Sequence, residues 1–161
     1  MHARALISRK SLFTFALACS ALLPGCGDKS EVSLELSMQN ANLTVTDGAF
    51  GEALTGGFDL SLALGKEASG ASTVSLGSFS LRGANGMAVI DPLPVDAGST
   101  TFPVTLSPGD TKVVNFTLVN VVGPATSRAA LCPGPDQILG AVLDNGKSVS
   151  VTSSSITPTC N

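Results

Sequence analysis

Apolar and polar residues alternate over most of the chain from position 32 onward. In "VSLELSM" every second residue is apolar, namely Val32, Leu34, Leu36 and Met38, and "FDLSLAL" at 58–64 repeats the pattern. A period of two places successive side chains on opposite faces of an extended strand. Both segments are therefore predicted to be strands with one buried face.

A glycine and a proline add detail to the strands predicted after position 64. In "STVSLGSFSLR", at 72–82, the inward positions change parity between Leu76 and Phe79, and Gly77 is a natural site for a β-bulge there. The segments "TFPVTL" at 101–106 and "TKVVNFTLVN" at 111–120 also alternate. Because proline has no amide hydrogen, Pro103 predicts an edge strand or an outward-facing amide position.

The last two candidate strands are "ILGAVL" at 138–143 and "KSVSVTSS" at 147–154, joined by "DNGK". Asn-Gly between two alternating segments is a strong signal for a β-hairpin. The span 136–144 also fits a short helix with Asp136 as its N-cap and Asn145 or Gly146 as its C-cap. We favour the strand because Gly140 weakens a helix.

Turn-forming residues separate these runs at intervals of roughly 8 to 12 residues, which is typical of an antiparallel sandwich or barrel. They are found at 47–48, 56–57, 66–72, 85–86, 107–110, 123–124 and 145–146. The segment 32–161 has a suitable length for one domain with its own core. The prediction is a single all-β domain, an antiparallel β-sandwich of about 7 to 9 strands.

One stretch resembles a known family. "VTLSPGDTKVVNFTL", at 104–118, resembles the strand, Pro-Gly turn and strand of bacterial immunoglobulin-like sandwich modules, including those related to cell-adhesion domains. The resemblance implies an immunoglobulin-like sandwich in which the turn at Gly109 links two core strands. Val114, Phe116 and Leu118 would face the core. The chain has no Trp, so the Trp landmark of antibody domains is missing.

The first 25 residues have the organisation of an export signal. His2, Arg4, Arg9 and Lys10 form a basic start, and a mostly apolar run follows at 11–23. The run is too short to cross a bilayer, which takes about 20 apolar residues. We therefore expect residues 1–25 to be removed.

The residues at the expected cut, Leu23, Pro24, Gly25 and Cys26, resemble the lipobox of bacterial lipoproteins, with Pro24 in place of the usual Ala, Ser, Thr or Val. The resemblance implies that Cys26 carries acyl chains such as palmitate and that residues 26–31 form a short tether. It also implies a location in the cell envelope. Gly27, rather than Asp, follows Cys26, which favours the outer membrane by the enterobacterial sorting pattern. A plain secreted protein and a chance cysteine are the alternatives.

Loss of the signal makes the protein more acidic. The whole chain has 9 Lys and Arg against 12 Asp and Glu, and removal of Arg4, Arg9 and Lys10 leaves six basic residues and a formal charge of −6. Phosphate contacts need clustered Lys and Arg. We therefore do not expect nucleic acid as a partner.

Two cysteines remain unassigned, Cys132 and Cys160, because Cys19 leaves with the signal and Cys26 is the lipidation site. Two thiols in an oxidising compartment normally pair, so we predict a disulfide. A metal site is the alternative, but two cysteines without a histidine supply too few soft ligands. We expect no metal and no other cofactor.

The mature chain contains no histidine, because His2 is the only one in the sequence. Ser-His-Asp and Cys-His systems need an imidazole base. Asp91, Asp96 and Asp110 remain as candidate carboxylates that could meet at one end of the sandwich. Turn caps and solvated loop charges are the simpler interpretation of all three, and we assign no catalytic residue.

Two classes of function fit these residues. The first is a non-enzymatic envelope lipoprotein that binds the membrane through its lipid and other envelope proteins through its domain. It would be an accessory or scaffold subunit of a surface assembly of the adhesion, secretion or gliding-motility type. The second is a ligand-binding or carboxylate-based hydrolytic periplasmic lipoprotein. A mature chain without His, Trp or Tyr favours the first.

Overall fold

Strands make up most of the residues described by the computed structural model, which are 34–48, 51–119, 121–122 and 126–161. In chain order they are β1 (Leu34–Gly48), β2 (Gly51–Leu64), β3 (Ser72–Arg82), β4 (Ala88–Ile90), β5 (Val95–Asp96), β6 (Val104–Leu106), β7 (Thr111–Leu118), β8 (Val121–Val122), β9 (Gln137–Asp144), β10 (Lys147–Thr152) and β11 (Thr159–Cys160). A short helix, α1 (Arg128–Leu131), lies between β8 and β9. Eight of these strands have three residues or more.

The strands form two sheets. The first has the order β11-β1-β2-β7-β5, with β8 paired to β2, and the second has the order β10-β9-β3-β4, with β6 paired to β3. All neighbours run antiparallel except β11, which runs parallel to β1. The prediction of an all-β domain with antiparallel sheets is confirmed.

The inward positions of the predicted strands are buried as the alternation indicates. In β2 they are Phe58, Leu60, Leu62 and Leu64, and in β7 they are Val114, Phe116 and Leu118. The predicted bulge in β3 is also confirmed, because the register between β3 and β9 shifts between Leu76 and Phe79. Without that shift, Leu76 and Phe79 would face opposite sides of the sheet.

A second bulge lies in β1 and was not predicted. The pairing of β1 with β2 shifts between Gln39 and Asn42, and Asn40 has a φ of 53°. Asparagine tolerates this left-handed conformation better than most residues. The shift lets Met38 before the bulge and Leu43 after it both face the core.

The turn predicted at 56–57 is wrong, because β2 continues through both glycines. A Cβ on Gly56 would clash with the carbonyl oxygen of Asn42 in β1, and one on Gly57 would clash with that of Phe116 in β7. The two glycines therefore lie where neighbouring strands approach closely. Besides turns, such close approach is a physical reason for glycine in a β protein.

The span 136–144 is a strand, since β9 runs from Gln137 to Asp144 and pairs with both β10 and β3. Asn145 and Gly146 connect β9 to β10 with φ values of 48° and 85°. Two consecutive positive φ values are the requirement of a type I′ hairpin turn, which Asn-Gly meets at low cost. The predicted hairpin is confirmed.

The C-terminal strap, defined here as residues 153–161, crosses from the second sheet to the first. The Ser153 amide donates to the Ile138 carbonyl at 2.9 Å, and Ile156 exchanges two backbone hydrogen bonds of 2.8 Å with Asp136. Further on, β11 pairs with Thr44 and Val45 of β1. The predicted pairing of Cys132 and Cys160 agrees with the structure, in which a disulfide joins the strap to the residue that follows α1.

Replacement of Cys160 with Ser should lower the melting temperature by about 10 °C, because the unfolded chain gains the freedom of a loop of roughly 30 residues. Calorimetry of the wild type and the variant measures the difference. Ser155→Ala is the control in the same strap, and its melting temperature should stay near that of the wild type because Ser155 is exposed. Two free thiols in the unreduced, unfolded wild type would contradict the bridge.

Candidate functional site

The predicted site residues fall into three groups. Cys26, the predicted lipidation site, lies outside the described residues. Cys132 and Cys160 form the disulfide between the residue after α1 and the C-terminal strap. The three candidate carboxylates lie on exposed connections and on a short strand of the sandwich.

Asp91, Asp96 and Asp110 do not come together. Asp96 pairs with Thr117 near the end of β7, whereas Asp110 directly precedes its first residue, Thr111. Six residues of strand therefore separate the two carboxylates by roughly 20 Å. A joint site for all three at one end of the sandwich is excluded by this placement.

Asp96 and Asp110 instead bond to the backbone of their own turns. The Gly98 amide donates to Oδ1 of Asp96 at 2.9 Å, and the Ser107 amide donates to Oδ2 of Asp110 at 2.7 Å. These are the local side-chain to backbone bonds that favour Asp in turns. The simpler interpretation of these two residues is therefore confirmed.

A cavity of about 380 Å³ opens at one end of the sandwich, between the β2–β3 loop and the β9–β10 hairpin. Leu64, Ala68 and Val149 provide apolar parts of its wall. The polar lining includes Ser72, Asp144 and Lys147. This is a volume in the range of small-molecule sites.

Two hydrogen bonds fix the carboxylate in this cavity. The hydroxyl of Ser72, which is buried, donates to Oδ1 of Asp144, and the side-chain amide of Asn145 donates to the same oxygen at 3.0 Å. The Asn145 side-chain oxygen in turn accepts from the Thr73 amide at 3.0 Å. The wall of the cavity thus carries a fixed carboxylate, hydroxyl groups and the ammonium group of Lys147. These groups are suited to hydrogen bonding with a small polar ligand.

A second polar group lies on the outer face of the first sheet. Asn40 donates to one oxygen of Asp59 at 2.7 Å, and Asn115 donates to the other. These bonds to the ionised form, first that of Asn40 and then that of Asn115, lower the pKa of Asp59. The group borders a shallow depression of about 400 Å³ whose lining includes Gly56 and Gly57.

Asp136 is the most deeply buried ionisable side chain of the described residues, at 1% exposure. Its Oδ2 has no hydrogen-bond partner within the described ranges, and burial raises the pKa of Asp136 to about 6. Arg82, the register partner of Gln137 across β3 and β9, likewise has a buried Nε without a hydrogen-bond partner among the described residues. The residue predicted as a possible helix N-cap is thus a buried acid directly before β9.

No group of three or more His, Cys, Asp and Glu side chains is placed to hold a metal ion among the described residues. No helix within the same ranges is long and apolar enough to cross a membrane.

Neither Asp59 nor the cavity carboxylate Asp144 is among the residues that the sequence predicts for a site. Asp59 occupies an outward position of β2, and Asn115 occupies the paired outward position of β7. Each residue alone looks like an ordinary solvent-facing polar side chain. A polar residue at matching outward positions of two strands is a usable signal only when the register between the strands is known.

The chain matches no protein-family model, and no curated protein and no solved structure is significantly similar to it. The site must therefore be interpreted from its own residues.

Replacement of Asp136 with Asn should stabilise the protein at pH 7.5 and have little effect at pH 4. The folded protein holds the Asp136 proton to about pH 6, whereas a carboxyl group in an unfolded chain loses it near pH 4. The wild type therefore loses stability as the pH rises from about 4 to 6, and the variant lacks this loss. Urea unfolding of both proteins across this pH range measures the difference.

Asp96→Asn is the matched control, because that carboxylate is exposed. A difference between wild type and Asp136→Asn that does not change between pH 4 and 7.5 would contradict the burial of an ionisable group at this position.

Proposed function

We propose that this chain is a lipid-anchored, non-enzymatic protein of the bacterial cell envelope. Its domain is an immunoglobulin-like sandwich that docks on other envelope proteins as an accessory or scaffold subunit of a surface assembly. The lipid on Cys26 holds it to the membrane, with the outer membrane as the expected site. The assembly is of the adhesion, secretion or gliding-motility type.

The strand order supports the immunoglobulin-like part of this proposal. Immunoglobulin-like sandwiches place strands A, B, E and D in one sheet and strands C, F and G in the other. In this chain β1, β2, β7 and β5 lie side by side in that order, and β10, β9 and β3 lie side by side in the second sheet. Strands A to G are assigned in chain order to β1, β2, β3, β5, β7, β9 and β10. This assignment reproduces the strand order of both immunoglobulin sheets.

The separation of Asp96 from Asp110, two of the three predicted candidates, is the observation that favours docking over hydrolysis. Hydrolysis by paired carboxylates requires two of them within about 10 Å of one bond. Asp96 and Asp110 lie at opposite ends of β7, and each bonds to a backbone amide of its own turn. Their positions suit the stabilisation of loops on a binding module.

Replacement of Cys26 with Ser should abolish palmitate incorporation and release the domain from the membrane or leave an uncleaved precursor, since two or three acyl chains are an effectively permanent anchor. Metabolic labelling and membrane fractionation measure both effects. Cys19→Ser is the matched control, because Cys19 lies in the segment expected to be removed and its loss should leave labelling intact. Unchanged labelling of Cys26→Ser would contradict the lipoprotein proposal.

The cavity beside Asp144 favours a second candidate, a ligand-binding lipoprotein. In that case Asp144 and Lys147 would bind the charged or hydroxyl groups of a small polar molecule. Binding there needs no reaction and no imidazole base.

Asp144→Asn separates the two candidates. For a module that docks on proteins we expect the variant to capture the same proteins as the wild type from cross-linked envelopes, because the cavity plays no part in binding those proteins. Asn keeps an oxygen that can accept from Ser72, so the melting temperature should change little. Loss of the cellular phenotype in a variant that still melts like the wild type would favour the ligand-binding candidate, with Asp96→Asn as the exposed control.

A further inference from the structure

We infer that the end of the sandwich that carries the cavity is a membrane-docking surface, which lies against the phospholipid headgroups around the anchor. This end consists of the β2–β3 loop (65–71), the β6–β7 turn (107–110) and the β9–β10 hairpin turn (145–146), and it is called the anchor end below. The inference rests on the proposed lipidation of Cys26 and adds which surface of the domain faces the bilayer.

The pairing of the strands shows that β1 begins at this end. Leu34, the first described residue, pairs with Leu64, the last residue of β2. The Leu64 amide donates to the Asp110 carbonyl at 2.9 Å, and the Leu64 carbonyl accepts from the Gly109 amide at 2.8 Å. The start of β1 therefore lies beside both the β2–β3 loop and the β6–β7 turn.

The β9–β10 hairpin closes the same end from the second sheet. Its Asp144 accepts from Ser72, the first residue of β3, and the Asn145 amide donates to the Thr73 carbonyl at 3.0 Å. Residues of the hairpin and of the β2–β3 loop line the cavity together with Leu64. The cavity thus opens at the end where the chain enters the domain.

The length of the tether keeps this end close to the bilayer. Eight residues lead from Cys26 to Leu34, and they span at most about 28 Å when fully extended. The 15 residues of β1 are longer, at about 46 Å from end to end. An upright domain on this tether has its anchor end near the headgroups and the β1–β2 hairpin far above them.

The lysines of the described residues are all at the anchor end. Lys66 lies in the β2–β3 loop with its stem against Gly109, Lys112 is the second residue of β7, and Lys147 begins β10. All three are exposed, and no ion pair involves them within the described ranges. The lysine ammonium groups are available to contact headgroup phosphates, and the long lysine side chains can extend toward those phosphates.

The acids at this end are Glu35, Glu67, Asp110 and Asp144. Asp110 accepts a hydrogen bond from the Ser107 amide and Asp144 accepts one from the Ser72 hydroxyl, so both carboxylates are held by groups of the domain. At the opposite end, the Arg128 guanidinium is bound to Asp47 at 3.0 Å and Glu52 at 3.6 Å. The three lysines of the anchor end therefore have ammonium groups outside any ion pair of the described residues, whereas Arg128 at the opposite end is bound to two carboxylates.

Fluorescence quenching in vesicles tests this orientation. The lipidated protein is reconstituted into vesicles of phosphatidylethanolamine and phosphatidylglycerol that contain a headgroup spin label. One variant carries a fluorophore on Ser69→Cys in the β2–β3 loop, and the control carries it on Ala84→Cys in the β3–β4 hairpin at the opposite end. Both positions are exposed. We expect quenching at position 69 to be several-fold stronger than at position 84.

A second comparison tests the lysines. In the Ser69→Cys background, replacement of Lys66, Lys112 and Lys147 with Gln should weaken the quenching, and replacement of the same three with Arg should preserve it. Salt should weaken the quenching of the parent variant as well, because exposed charges are screened. Unchanged quenching in the Gln variant would overturn the role assigned to the lysines.

The experiment distinguishes failure of the inferred orientation from failure of the proposed lipid anchor. Equal quenching at positions 69 and 84, or stronger quenching at 84, in protein shown by mass spectrometry to carry lipid on Cys26 overturns the orientation and leaves the anchor intact. Absence of lipid from Cys26 in the same measurement overturns the proposed anchor and the orientation with it.

Discussion

Contact among three phenylalanine rings sets how the two sheets of this protein meet. Phe58 of β2 and Phe116 of β7 are paired across the first sheet with ring centroids 5.0 Å apart. Phe79 of β3 reaches them from the second sheet, at 5.1 Å from Phe58 and 5.3 Å from Phe116. Rings at these separations contribute about 1 kcal/mol a pair beyond the area they bury. The rest of the core is arranged around this cluster.

The cluster imposes requirements on residues that do not belong to it. A Cβ on Gly140 of β9 would clash with the Phe79 ring, so the neighbouring strand needs glycine at that position. The bulge after Leu76 is needed as well, because a one-residue change of register turns every following side chain to the other face. Gly77 at the bulge and Gly140 beside the Phe79 ring are thus conditions for closing the sandwich.

The features that depend on neighbours along the chain were predictable. Alternation identified β2 and β7, Asn-Gly identified the β9–β10 hairpin, and the count of cysteines identified the pairing of Cys132 with Cys160. The features that depend on the register between distant strands were not. The bonds from Asn40 and Asn115 to Asp59 join residues 19 and 56 positions away from it. The sequence predicts a turn at Gly56 and Gly57 because the strands that press against them are also remote in sequence.

Different interactions stabilise the two ends of the sandwich. At the end away from the start of β1, the disulfide, the ion pairs of Arg128 and the bridge between Asp136 and Ile156 bind the C-terminal strap and α1 to the sheets. At the anchor end, short turns and the hydrogen bonds of Asp110 and Asp144 hold the connections, and lysines and a cavity face outward. Loops held by few contacts adapt to a surface more readily than elements fixed by a covalent bond. The division therefore agrees with the inferred orientation, in which the loops of the anchor end lie against the headgroups.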